Sequence, residues 1–117
     1  MMPYQDWIAR GPAVCDAECA EAMGWKQKPG SVYWNWGESN GAMPVIIGVW
    51  SPTTDRNATA MMLETIELIG PKAVEKFDEA LRLNLPVGGR GHSWLRIIKT
   101  ETSLLAYCAL RALKEEA

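Results

Sequence analysis

The closing segment Leu104-Leu-Ala-Tyr-Cys-Ala-Leu-Arg-Ala-Leu-Lys114 constrains the fold more than any other stretch of the chain. It reads as a helix that begins near Thr102 or Ser103 and is apolar nearly all round, through Leu105, Cys108, Ala109, Ala112 and Leu113. A helix of that kind is either the most buried of its fold or covered on two sides. At 117 residues the chain is about the size of one average domain, so one core and one domain over 1–117 are expected.

Three further helices follow from periodicity. Gly11-Pro12 opens the first, with proline suited to the first turn; Cys15, Cys19, Ala22 and Met23 line one face, and Gly24 closes it as a left-handed cap. A central helix is expected from about Pro52 to Ile69, with Ala58, Met61, Met62, Thr65, Ile66 and Ile69 inward and Arg56, Asn57, Glu64 and Glu67 in water. Ser51 or Thr53 would supply its cap, and Asp55 sits where the helix dipole favours an anion. Gly70-Pro71 stops it, and a weaker helix follows at Lys72 to Leu83 with Val74, Phe77 and Leu81 inward.

Strands are fewer and shorter. Val32, Trp34 and Trp36 alternate with Tyr33 and Asn35, the period of a strand with an aromatic row on one face. Val45-Ile-Ile-Gly-Val-Trp50 is a continuous β-branched run readable as a buried strand, with Gly48 allowing a bulge. Trp94-Leu-Arg-Ile-Ile-Lys99 supplies a third. Helices before, between and after these strands predict an α+β domain: a small three- to four-stranded sheet covered by helices, an α/β/α sandwich. The Pro/Gly-rich stretches at 37–44 and 84–91 are loops within it.

Three of these landmarks together carry a family resemblance: Met23-Gly-Trp25 at a helix end, Trp50-Ser-Pro-Thr-Thr-Asp55 at a helix start, and the apolar C-terminal helix. The chain resembles the phage ABA sandwich domain family, small proteins of bacteriophages and prophages, over residues of about 16–115. The resemblance implies the layered sandwich and a bacteriophage origin, and carries no established activity.

Composition narrows the function classes. A net charge of −2 gives no basic surplus for generic attraction to DNA or RNA, so no nucleic-acid partner is expected. No apolar run approaches the roughly 18 residues of a bilayer span, and Met-Met-Pro-Tyr-Gln-Asp lacks a secretory pattern, so the expected location is the host bacterial cytoplasm, without membrane attachment. Three cysteines in such a chain read as reduced core thiols. Cys15 and Cys19 lie four apart on one helix face with His92 as the sole histidine, a poor zinc set, so no metal and no cofactor are expected. Cys108 falls on the most apolar helix, away from any nucleophilic role, and Ser93 lacks the glycine-flanked elbow of an exposed nucleophile. With one histidine and no paired carboxylates an enzyme is the least favoured class, and no catalytic residue is assigned.

Two features stand out from this background. In Gly88-Gly-Arg-Gly-His-Ser-Trp94 the backbone amides of a glycine-rich loop converge, while Arg90, His92 and Ser93 add donors beside Gly89 and Gly91. Such a loop can hold phosphate. The six tryptophans and Tyr33 are the second feature: Trp25 and Trp50 read as core, whereas strand alternation keeps Tyr33 off the face of Trp34 and Trp36, leaving Tyr33 or Trp36 to stack on a ring. These residues fit a non-enzymatic accessory protein that sequesters a nucleotide-derived immune signal. The alternatives are a protein that binds a host or phage partner and, last, a small enzyme acting on a nucleotide. Surplus apolar side chains also predict a symmetric homo-oligomer.

Overall fold

The computed structural model describes residues 2–35, 44–84 and 101–116. Among them lie five helices and one two-stranded antiparallel sheet. They run α1 (Tyr4–Ile8), α2 (Pro12–Ala22), β1 (Tyr33–Trp34), β2 (Val45–Ile46), α3 (Arg56–Ile69), α4 (Pro71–Asn84) and α5 (Thr102–Glu116).

Helix α5 is the spine of the core. Every residue from Leu104 to Leu110 is buried, as are Ala112 and Leu113, because the other four helices all pack against it, α4 and α3 most extensively. The all-round apolarity of the sequence is thus spent on contacts in several directions, which an amphipathic helix with one covered face could not use.

Helix α2 begins with Pro12 at its first position and ends in a complete Schellman motif. The Trp25 amide donates to the Ala20 carbonyl at 3.1 Å and the Gly24 amide to the Glu21 carbonyl at 3.0 Å. This closure needs a left-handed residue, and Gly24 has φ +82°. Helix α3 starts four residues later than its expected beginning at Pro52. Residues 52–54 form a turn instead, held by amides of Thr54 and Asp55 donating to the Ser51 carbonyl at 3.0 and 2.7 Å and by the Thr59 hydroxyl donating to the Pro52 carbonyl at 2.8 Å. The cap is Asp55, whose carboxylate accepts from the Asn57 amide at 3.0 Å, and neither Ser51 nor Thr53 fills that role. Ala58, Met62 and Ile66 are buried as expected, while Met61 and Ile69 are each 41% exposed.

The expected three- to four-stranded sandwich is not the fold: the described residues are mostly helical, and the sheet among them has two strands. Tyr33 pairs with Ile46 and Trp34 with Val45. The first strand ends where Asn35 turns to φ +61°, and residues 47–49 leave the second as a turn, with the Val49 and Trp50 amides donating back to the Ile46 carbonyl at 3.0 and 3.2 Å. A pair this short has no face broad enough to layer helices upon. The third expected strand, 94–99, lies outside the described residues.

Helix α1 is not among the helices that periodicity predicts. It lays Trp7, fully buried, against Tyr107 of α5 with ring centroids 5.4 Å apart, and the Tyr4 and Ser103 hydroxyls share a 2.7 Å hydrogen bond. Next to this contact the Glu18 carboxylate joins three elements. Its Oε1 accepts from Trp7 Nε1 at 2.7 Å and from Arg10 at 2.6 Å, and its Oε2 from Lys114 Nζ at 2.6 Å.

Candidate functional site

The sequence points to a glycine loop and an aromatic row as its site, and all but one of those residues fall outside the described part of the structure: Trp36, Gly89, Arg90, Gly91, His92 and Ser93. Tyr33 is described. It is half-buried on β1, its amide donating to Ser31 Oγ at 3.1 Å, with Trp34 turned inward to 2% exposure beside it. The alternation expected of the strand therefore holds for this pair.

The tryptophan motifs are structural. Trp25 and Trp50 meet with ring centroids 4.5 Å apart and planes tilted by 53°. Trp50 Nε1 donates to the Asp16 carbonyl at 2.9 Å, and the Asp16 carboxylate accepts from the Thr53 amide at 3.0 Å and from the Ser51 hydroxyl at 3.4 Å. Asp16 is buried. Burial pushes its carboxyl above the ordinary range, and the hydrogen bonds from Thr53 and Ser51 offset only part of that. The two motifs thus form one joint that fastens α2 to the loop before α3.

The three cysteines are free and buried. Burial in apolar surroundings pushes the Cys108 thiol up to about 12 and that of Cys19 higher still. Cys15, raised in the same direction, donates to the Trp7 carbonyl at 3.2 Å. Thiols held in this state are poor nucleophiles and poor ligands. Among the described residues no group of three or more His, Cys, Asp and Glu is arranged to hold a metal.

What the structure adds is a cleft between α3 and α4. The two helices are joined by Gly70 alone, at φ +135°, with Pro71 already in the next helix. This short join brings side chains of both helices to one hollow. The hollow measures about 280 Å³. Ile66 and Phe77 form the floor, Leu63 and Val74 the walls, and Glu67, Glu75 and Asp78 the rim. Ile66 and Phe77 are buried at 2% and 7%, whereas Val74 is 41% exposed. Of the rim acids, Asp78 is bridged by Arg82 at 2.6 Å. Glu67 and Glu75 have no ion pair among the described residues. Periodicity expects Val74 to point inward and Glu67 to face water; Glu67 is exposed, whereas Val74 is 41% exposed and lines the hollow between the two helices, a setting that no single helix reveals.

Comparison with known proteins adds no parallel: no family model matches the chain, and no curated protein and no solved structure is similar to it.

Proposed function

We propose that the protein acts without catalysis, by docking a partner protein in the cleft between α3 and α4. The observation that carries this reading is the cleft itself, an apolar hollow open to solvent and edged by carboxylates. Apolar surface left in such a hollow stabilises a complex when a partner's side chain replaces the water there. The volume, about 280 Å³, lies at the lower edge of the roughly 300–1,000 Å³ usual for small-molecule sites, and its acidic rim repels a phosphate-bearing ligand. The chemistry that remains is protein recognition.

The described ionisable groups support a non-enzymatic role, since Asp16 and Glu18 are engaged in joining helices. The resemblance of Met23-Gly-Trp25 and Trp50-Ser-Pro52 to a bacteriophage family suggests a host or phage protein as the partner, met in the host bacterial cytoplasm. No helix among the described residues is long and apolar enough to cross a membrane. Capture of a nucleotide-derived immune signal would rest on Arg90, His92 and the rest of the glycine loop, with Tyr33 as the described contributor. A melting-temperature screen against cyclic oligonucleotides tests it, since a tight ligand raises the midpoint by mass action.

The docking reading is tested by comparing the parent protein with Val74→Lys as bait. A protein captured by the parent, lost with Val74→Lys, and then shown after purification to bind stoichiometrically supports it. Equal capture by both baits removes the cleft from the interaction.

A further inference from the structure

Resting on the reading of the cleft as a docking surface, we infer that its occupant is a basic amphipathic α-helix. Two observations on the hollow lead there, its lining and its charge. Its walls and floor are apolar side chains from two helices, Leu63 and Ile66 on α3 with Val74 and Phe77 on α4. An apolar hollow between two helices accepts apolar side chains from the stripe of a third, whose anchors recur at i, i+3, i+4 and i+7.

The charge around it then selects among helices. Glu67 of α3 and Glu75 of α4 both line the hollow, and among the described residues neither has an ion-pair partner. The third rim acid, Asp78, is already bridged by Arg82. A helix whose apolar stripe is flanked by Lys or Arg meets both unpaired carboxylates, whereas one flanked by Asp or Glu meets like charge. The same argument disfavours a second copy of this chain. A two-fold symmetric contact through the cleft sets each acidic rim against its own image.

The experiment uses the full chain and two synthetic peptides of roughly four helical turns, with leucines at i, i+3, i+4 and i+7. One carries lysines beside the leucines and the other glutamates; binding is read by fluorescence anisotropy at low and high salt. The basic peptide is expected to bind roughly five- to tenfold more tightly than the acidic one, an advantage of the size that two exposed charge pairs give. High salt should erase most of that difference. The double variant Glu67→Lys with Glu75→Lys is expected to reverse the preference, and Val74→Lys to weaken both peptides. All three positions are exposed, so the variants should fold, and an unchanged melting temperature confirms it.

Equal affinity for both peptides, with both weakened by Val74→Lys, would overturn the charge assignment and leave the docking surface standing. Binding of neither peptide, or binding indifferent to Val74→Lys, would overturn the docking surface as well. Dimeric mass in light scattering that reverts to monomer in Val74→Lys would make a second copy the occupant, and the basic-helix inference would fail.

Discussion

Acid should loosen this fold through Glu18. Burial alone would raise its carboxyl, but hydrogen bonds from Lys114, Trp7 and Arg10 outweigh it and hold the group at about 2 against an ordinary 4.5. A carboxyl depressed in the folded state binds protons more tightly in the unfolded chain. Its contribution is therefore complete above about 4.5 and is lost as the pH falls from there to about 2. At 1.36 kcal/mol for each tenfold change in proton affinity the difference amounts to about 3 kcal/mol, and screening of a carboxylate still 22% exposed reduces it to roughly 1–2 kcal/mol. Urea unfolding of the parent and of Glu18→Gln, followed from pH 7 to pH 2.5, isolates this share, because other titrating groups cancel in the comparison. At neutral pH the variant should be less stable by roughly 1–2 kcal/mol, a drop in melting temperature of about 5–10 °C for a domain this size. The two stabilities should converge below pH 4. A gap that stays constant across the range would show that the three hydrogen bonds do not act through the carboxylate's charge.

Asp16→Ala leaves the Thr53 amide without its buried acceptor and should cost roughly 1.5–3 kcal/mol in the same assay; Asp16→Asn, which keeps an acceptor oxygen, should cost less, and a neutral Asp16→Ala would refute the joint. Because burial raises the Asp16 carboxyl, the native state holds that proton more tightly than the unfolded chain, so its share of stability is present at low pH and lost as pH rises through the raised value, opposite in sign to Glu18. Met62→Asp places a charge at a fully buried position of α3 and should remove several kcal/mol, enough to prevent folding; a soluble variant that melts cooperatively would mean that Met62 does not face the core. The three thiols should resist an aromatic disulfide reagent at pH 8 until the chain is unfolded, and fast reaction of any one in the native protein would contradict its burial.

Sequence and structure agree where one residue decides a local conformation or where a whole face repeats. Gly24 terminates α2 because only a left-handed residue completes the Ala20–Trp25 bond, and Gly70-Pro71 separates α3 from α4 as glycine followed by proline should. Burial of α5 follows directly from its composition. The second strand is shorter than its composition suggests, because β-branched content does not by itself specify pairing. Val45 to Trp50 has the composition of a buried strand, yet Ile46 and Val49 are 47% and 65% exposed, since after Ile46 the chain turns back on itself instead of continuing beside a partner. Helix α1, at five residues, is too short to display a period; Tyr4, Trp7 and Ile8 at spacings of three and four are its one signal.

The residues most noticeable in the sequence and those best placed to meet a partner are different sets, and the fold gives the reason. Trp25, Trp50, Ser51 and Asp16 stand out because a joint between a helix end and a turn tolerates few side chains: a ring of the right size, an indole donor, a buried carboxylate with two donors aimed at it. Such a requirement writes itself into the sequence as a motif. A docking cleft makes looser demands, apolar walls and a rim of one sign, which many residues meet. Leu63, Val74, Glu67 and Glu75 are ordinary in sequence for that reason. Their meaning lies in the joining of two helices through Gly70, which brings side chains of both to one hollow that neither helix encodes by itself.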